Sequence, residues 1–348
     1  MKYARSASIM LLAVALAVTG CSASPAAPTA AHTAAATLED LVAAAQKEGS
    51  VRVYSALSEG DQKKLAAGFQ EKYGISVESL RLGGTTLPTR FESETAAGSP
   101  SGDVLLSTTL DFLLKATDEG ALVPFTDSGV PAMLNGLPPT AELNQYAGIP
   151  MFQVLSTGFI YNTGMVSPAD IPTSWQDLVA SPLAGKTCAV SPDTSESLMV
   201  FMASLRNAGG DGVLSKLGSK IARWYPSVIP MNEAVASGEC ALGLNSAEFF
   251  AHAMKAKGAA VEFAAAPTAV YPVVGVAVAG AAQHPNAARL FMLYSLSSEG
   301  GATVNDVSIG SYGAMDAEKY PAGFSVLSPA DQKAALGESA DIMKLLGL

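Results

Sequence analysis

The sequence predicts an α/β protein made of two doubly wound lobes. Short apolar or alternating segments and amphipathic segments follow one another in the order βαβαβα between residues 51 and 120, which is typical of a parallel sheet covered by helices. The same alternation starts again near Ser156. Glycine is frequent and charged residues make up only 15% of the chain, as in α/β proteins with tight turns.

The first run of elements begins with an amphipathic helix over residues 38–47, which Gly49 ends. Pro88 suits the first turn of a later helix, where its missing N–H costs nothing. The predicted strands of this run are 51–56, 75–80 and 103–108, and the helices that follow them are 61–73, 88–97 and 110–120.

The second run repeats this pattern, and Trp175 is expected in its core. The chain has no fixed-period repeat, coiled coil or block of like charges. The predicted strands are 157–162, 185–190, 240–245, 261–266 and 272–280, and the helices are 173–181, 195–209, 231–239, 247–258 and 285–297.

The N-terminus has the pattern of a secretory signal peptide over residues 1–20. Lys2 and Arg5 precede an apolar run, residues 9–18, that is too short to span a bilayer. The run ends at Cys21 after small residues, which resembles the lipobox of bacterial lipoproteins, where the cysteine is lipidated. Ordinary cleavage that leaves Cys21 as a free thiol is the alternative. Residues 21–37, rich in Ala, Ser, Thr and Pro, are interpreted as a flexible tether.

The charge of the chain argues against nucleic acid as a partner. Removing the signal peptide leaves 19 basic and 31 acidic residues, a net charge near −12. Nucleic-acid binding depends on neutralising phosphates, which such a chain is poorly suited to do.

The remaining cysteines, Cys188 and Cys240, lie in strand-like segments. In an exported protein such a pair permits a disulfide, provided that the two Cα atoms come within about 7 Å. Two buried free thiols are the alternative, and the spacing does not decide between them.

Six stretches resemble, in order, the extracellular solute-binding proteins of bacterial ABC importers, in the branch of ferric-ion and phosphonate binders. The likeness runs from about residue 38 to 312. It implies a periplasmic-binding-protein-like fold of class II, whose two lobes are joined by crossing strands and hold the ligand between them. Residues 38–154 and 272–305 are then assigned to lobe 1, and residues 155–271 and 306–348 to lobe 2. The stretches are "LVAAAQKEGSVRVYSAL", "GSPSGDVLLS", "TGFIYNT", "PTSWQDLVASPLAGK", "VASGECALGL" and "HPNAARLFMLYSLSSEG".

Polar residues at the carboxyl ends of the predicted strands are the candidate ligand site, because ligands of open parallel sheets bind at that edge. The Gly-Gly-Thr-Thr turn before a helix directs backbone N–H groups at an anion, and Arg81 and Arg90 flank it. Helix capping is the alternative for the hydroxyls, and a solvated surface position is the alternative for the arginines. The candidates at the strand ends are Ser55, Gly84, Thr85, Thr86, Thr108, Thr109, Thr194, Ser195, Asn245 and Ser246. Tyr271 and Tyr161 are weaker candidates, as aromatic residues that could instead stack on a sugar or a cationic amine, with packing as the alternative.

Iron is disfavoured as the cargo. The resemblance implies adjacent tyrosines after the strand that matches "LGLN", and a histidine after the first strand. This chain has "SAEFF", residues 246–250, at the first place and no histidine in "YSALSEG" at the second. Glu248 alone is a weak ligand set, so hydroxyls, amides and glycine N–H groups favour a small anionic solute such as a carboxylate or phosphonate. We expect no metal and no cofactor.

The sequence therefore predicts a lipid-anchored, monomeric substrate-binding protein at the outer face of the cytoplasmic membrane, which delivers a small polar solute to an ABC permease. A ferric-ion binder of the same class and an exported hydrolase are the alternatives. We do not expect an enzyme, because His32, His252 and His284 fall in no recognised catalytic motif, and solvated helix positions explain the acidic residues that could form a pair, Glu196, Glu233 and Glu248.

Overall fold

The computed structural model describes residues 37–84, 86–134, 145–267, 273–304, 308–311 and 328–348. The predicted signal peptide, Cys21 and most of the tether lie outside the described residues. So do two candidate site residues, Thr85 and Tyr271.

The first sheet has the strand order β13-β6-β12-β3-β1-β2, with β4 added to β12 and β5 to β6. β1 pairs in parallel with β2 and β3, whereas β12 and β6 run antiparallel to their neighbours, so the sheet is mixed rather than wholly parallel. The strands are β1 (Ser50–Ser55), β2 (Ser76–Arg81), β3 (Val104–Ser107), β4 (Leu122–Val123), β5 (Gln145–Tyr146), β6 (Ile149–Leu155), β12 (Val273–Ala279) and β13 (Ser308–Ser311).

The second sheet has the order β11-β7-β10-β8-β9. β8 runs parallel to β9 and β10, while β7 runs antiparallel to β10 and β11. Its strands are β7 (Thr157–Asn162), β8 (Thr187–Val190), β9 (Arg223–Tyr225), β10 (Leu242–Ala247) and β11 (Val261–Ala265).

Helices cover both faces of each sheet. In the ranges that the structure describes, none of them is both long and apolar enough to cross a bilayer. The helices are α1 (Leu38–Glu48), α2 (Glu59–Tyr73), α3 (Thr86–Ala96), α4 (Leu110–Asp118), α5 (Val130–Met133), α6 (Trp175–Ala180), α7 (Glu196–Gly209), α8 (Asp211–Lys220), α9 (Val228–Ser237), α10 (Glu248–Ala256), α11 (Pro285–Leu296), α12 (Ser298–Ala302), α13 (Pro329–Gly337) and α14 (Ser339–Leu346).

Burial on both sides explains the apolar sequence of the strands. In β1, Val51 and Val53 join the core beneath α1, α2 and α11, whereas Tyr54 joins the core on the opposite face with Leu87 and Phe91 of α3. A strand covered on both faces needs apolar residues at successive positions, as β3 also shows. The predicted α/β fold with two lobes is confirmed.

The core of the second lobe contains Trp175, as the sequence predicts. Its ring meets Phe159 of β7 and Phe201 of α7 edge to face, with centroids 5.9 and 5.7 Å apart. These contacts clamp α6 and α7 onto one face of the sheet, and α9 and α10 occupy the other.

Cys188 and Cys240 form a disulfide, with Cα atoms 5.9 Å apart. Cys188 is the second residue of β8, and Cys240 lies in the turn between α9 and β10. The bridge therefore ties two neighbouring strands together near their amino ends, inside a buried apolar cluster.

The two sheets are connected through a direct passage from β6 to β7, interrupted only by Ser156. The Ser156 carbonyl accepts a hydrogen bond from the Glu248 N–H, 3.0 Å away, so the second lobe holds this junction. The chain returns to the first sheet between β11 and β12. The passage from β6 to β7 is a crossing strand of the predicted fold, whereas residues 268–272 of the second passage lie outside the described residues.

The C-terminal part of the chain divides between the lobes. The predicted boundaries assign residues 306–348 to lobe 2, but β13 pairs with β6 of the first sheet. Helices α13 and α14 pack against α7 and α8 of the second lobe. The boundaries as a whole stay a prediction, with β13 as the observed exception.

Candidate functional site

The candidate site lies where helices of both lobes begin. Helix α3 follows β2, and α4 follows β3, at the carboxyl edge of the first sheet. Helix α7 follows β8 at the carboxyl edge of the second. Strand ends of open sheets leave such a crevice, and helix N-termini bring unpaired N–H groups to it.

A narrow cavity of ≈ 20 Å³ lies between these helix starts. That is room for about one water molecule, so a solute can enter only if the lobes move apart. Both lobes line it, and the structure thereby brings four of the predicted residues together. The lining residues are Gly84, Thr108 and Thr109 from the first lobe, and Ser195, Glu196 and Ser197 from the second.

Backbone conformation shapes the wall on the first lobe. Gly84 has φ 54°, in the left-handed region that favours glycine, and a Cβ there would meet nothing within 4 Å. The Thr109 hydroxyl donates to the Gly84 carbonyl at 3.4 Å, and the Thr109 N–H donates to Ser107 Oγ at 3.1 Å. The hydrogen bond from Thr109 to Gly84 thus joins the turn before α4 to the turn before α3, and both turns lie at the cavity.

The opposite wall is formed by the start of α7. Ser195 is the N-cap residue, but its hydroxyl makes no capping hydrogen bond and instead lies 2.8 Å from Ser197 Oγ. Glu196 is the first residue of the helix. It is exposed and lines the cavity, and its carboxylate has no hydrogen bond or ion pair with any other described residue.

Carboxylates dominate the electrostatics here. Partial burial and the nearby Asp111 carboxylate raise the pKa of Glu196. The buried Tyr146 hydroxyl lies 3.0 Å from Asp111 Oδ1 and 3.0 Å from Gln332 Oε1, and burial together with Asp111 raises the pKa of Tyr146. Because Asp111 and Tyr146 belong to the first lobe and Gln332 to α13, this contact bridges the lobes.

A wider hollow of ≈ 430 Å³ adjoins the cavity and shares Ser195 and Glu196 with it. Met199, Leu336 and Met343 form much of its wall. Glu196 therefore stands between a narrow polar gap and a larger space with apolar sides.

Other predicted candidates lie away from the cavity. Ser55 is buried, and its hydroxyl accepts from the Leu57 N–H. The exposed Thr194 donates its hydroxyl to the Ser191 carbonyl at 2.7 Å, as a local turn requires. Tyr161 is buried in the core of the second lobe.

Three more candidates also have local roles. Thr86 lines a separate surface hollow on α3, and Ser246 is buried with its hydroxyl 3.5 Å from the Ala247 carbonyl. Arg90 pairs with Glu94 at 2.8 Å and also donates to the Tyr54 hydroxyl.

The sequence and the fold of this chain resemble those of known proteins. The model of the bacterial extracellular solute-binding proteins matches residues 64–315. The chain belongs to this family. A search of curated proteins gives no match.

Among solved structures, iron-bound HitA from Pseudomonas aeruginosa is similar to this solute-binding protein, with a TM-score of 0.64, 22% identity, and coverage of 86% of this chain and 99% of that one. AfuA from Actinobacillus pleuropneumoniae, with fructose-6-phosphate bound, has a TM-score of 0.63, 21% identity and coverage of 85% and 99%. The substrate binding protein of an ABC transporter from Agrobacterium tumefaciens has a TM-score of 0.67, 18% identity and coverage of 85% and 95%.

Asn245 of this solute-binding protein occupies an irregular position. It is the extra residue of a bulge between β10 and β7, with φ 61°, and its Oδ1 is buried with no hydrogen-bond partner. Buried Asn232 of α9 likewise has no partner for either side-chain polar atom. Unpaired buried acceptors need an explanation, and a ligand donor is one.

The segment where the resemblance implies iron-binding tyrosines holds two phenylalanines. The rings of Phe249 and Phe250 lie 4.1 Å apart, and Glu248 lies 3.7 Å from His252 on the same helix. Among the described residues, no group of three His, Cys, Asp or Glu side chains is arranged to hold a metal ion.

Proposed function

We propose that this chain captures a small polar solute between its two lobes and delivers it to a permease of an ABC importer. One observation carries the proposal: the cavity is lined by residues from both lobes, Gly84, Thr108 and Thr109 on one side and Ser195, Glu196 and Ser197 on the other. A site divided in this way forms only when the lobes meet, so binding a solute stabilises the closed form.

The passage from β6 to β7 supports this motion. Only Ser156 separates the two strands, so a change in backbone angles at a few residues turns one lobe relative to the other. The Tyr146–Gln332 contact beside the cavity is one that opening has to break.

Delivery to a permease and attachment by lipid complete the proposal. The similar structure from Agrobacterium tumefaciens is a substrate binding protein of an ABC transporter. Lipidation of Cys21 would hold a monomer at the outer face of the cytoplasmic membrane, on the cell surface or in the periplasm, with residues 22–37 as a tether.

The anionic charge that the sequence predicts for the solute stays a prediction. Helix N-termini at the cavity favour an anion. HitA and AfuA are described with iron and with fructose-6-phosphate, which are very different cargoes. The polar character of the solute rests on the hydroxyls of the lining.

The test is a thermal-shift screen of small solutes, since a ligand at 100 times its Kd adds about 2.7 kcal/mol of stability. Ser195→Ala should weaken binding of the stabilising solute, whereas Thr194→Ala, one residue away but occupied with Ser191, should not. Equal affinity of both variants and the wild type would place the site elsewhere.

The anchor is tested separately by growing cells with labelled palmitate. We expect the label on the wild-type protein and none on the Cys21→Ala variant, which should fractionate away from the membrane. Unlabelled wild-type protein would leave the free-thiol alternative in place.

A further inference from the structure

We propose that the solute carries a positively charged nitrogen that binds the Glu196 carboxylate. This inference rests on the proposed function, because it names the class of solute that the same cleft takes. It departs from the anionic solute that the Gly-Gly-Thr-Thr turn favours.

The first argument is the free carboxylate itself. Glu196 lines both the narrow cavity and the hollow of ≈ 430 Å³, and no described residue donates to it or pairs with it. Glu196 is exposed in this structure, so its carboxylate is hydrated until a solute covers it. A solute that displaces this water has to supply a donor in exchange, since a desolvated carboxylate without one is costly. A cationic N–H group of the solute supplies both the donor and the opposite charge.

The second argument concerns the helix N-termini that would otherwise attract an anion. Helix α7 carries Glu196 in its first turn, and α4 carries Asp111. These carboxylates neutralise the positive ends of the two helices from within the chain, and they would repel an anionic group placed between them. Helix α3 has no acidic residue in its first turn, so an anionic group elsewhere on the same solute remains compatible with the site.

The third argument is the absence of a counterion on the protein side. The described residues that line the cavity and the hollow include Asp193 and Glu196 but neither lysine nor arginine. Arg90 is held by Glu94, and Arg81 donates its Nε–H to the Leu57 carbonyl.

The size of the hollow limits the size of the group that carries the nitrogen. The cavity between the lobes has room for about one water molecule. The hollow of ≈ 430 Å³ is lined by the second lobe alone, beside Met199 and Met343, and can take the carbons of a solute whose nitrogen lies at Glu196, where the hollow meets the cavity. With its nitrogen at Glu196, such a solute places its remaining polar groups at the serines and threonines.

The experiment is a thermal-shift screen at pH 7 with compounds of one carbon skeleton and three charges, such as glucosamine, glucose and gluconate, or ethanolamine, ethylene glycol and glycolate. Pools of further amines, polyols, carboxylates and phosphates extend the screen. Hits are then titrated by calorimetry against the wild type, Glu196→Gln and Glu233→Gln. Glu233 is an exposed glutamate of α9 outside the cavity and serves as the matched control.

We expect the stabilising compounds to be amines or other nitrogen cations. Glu196→Gln should weaken their binding ten- to a hundredfold, as loss of a charge-assisted hydrogen bond does, and Glu233→Gln should leave it within twofold. Stabilisation by anions or neutral polyols alone, or an amine that binds Glu196→Gln as tightly as the wild type, overturns the inference and leaves the proposed function standing. Stabilisation by no solute of any charge overturns both.

Discussion

The disulfide between Cys188 and Cys240 should contribute strongly to stability without affecting solute binding. The perturbation is a double replacement, Cys188→Ala with Cys240→Ala. Cys21→Ala is introduced into this variant and into the reference protein, so that the only difference between them is the bridge. The bridge lies near the amino ends of β8 and β10, whereas Ser195 and Glu196 lie beyond the carboxyl end of β8.

The magnitude follows from the loop that the bridge closes. Its cysteines are separated by 52 residues. Closing such a loop removes about 14 cal/mol/K from the unfolded ensemble, which corresponds to about 4 kcal/mol at 25 °C. With an unfolding entropy of about 0.65 kcal/mol/K for roughly 310 residues, the expected fall in Tm is about 6 °C.

The assay is urea unfolding followed by circular dichroism, together with calorimetry of the solute found in the screen. We expect the double variant to lose about 4 kcal/mol of unfolding free energy and to keep its Kd at a temperature where it is folded. A loss below about 1 kcal/mol would refute the entropic reasoning. A weakened Kd would show that the bridge supports the site across the sheet.

Three further outcomes follow from contacts described above. Gly158→Ala should lower the unfolding free energy by about 1–3 kcal/mol, measured in urea, because its Cβ would lie 2.2 Å from the Ala264 carbonyl on β11; an unchanged Tm would contradict this close approach. Burial and Asp111 raise the pKa of Glu196, so the folded chain holds its proton more tightly, and stability should fall as pH rises above about 4.3 toward the raised pKa. Glu196→Gln should flatten this part of the Tm profile, and an identical profile would assign the fall to other groups. Ser195→Ala should weaken solute binding by calorimetry and Thr194→Ala should not; the reverse order would exchange their roles.

Most strands were predictable because burial on two faces demands a recognisable apolar run. β7 covers the predicted residues 157–162, and α11 begins at Pro285 and ends one residue before the predicted end. Strand β6 was missed, because its apolar residues continue into β7 through Ser156 and periodicity does not show where a chain leaves one sheet for another. The pairing of β13 with β6 depends on contacts far apart in sequence, which no local pattern contains.

For the candidate site, the sequence predicted only a location, the carboxyl edge of the two sheets. The strand-end rule selected four residues that line one cavity, Gly84, Thr108, Thr109 and Ser195, but it does not specify the direction of a side chain. Ser55 comes at the end of β1 yet points into the protein and accepts from a backbone N–H. Glu196 was interpreted as a solvated helix residue, and it is exposed in the structure. Its place at the cavity depends on the approach of the other lobe, which no local pattern contains.

In the proposed function, the single residue between β6 and β7 also limits how the lobes move apart to exchange a solute. The two lobes share an almost continuous extended segment, β6 and β7, so we expect them to open by rotation about Ser156 and not by sliding. The displacement is then smallest near Ser156 and largest at the end of the cleft away from it. We expect the residence time of a captured molecule to depend on how often the hydrogen bond between Tyr146 and Gln332 breaks. Changes made there should alter the rate of release before they alter what the protein recognises.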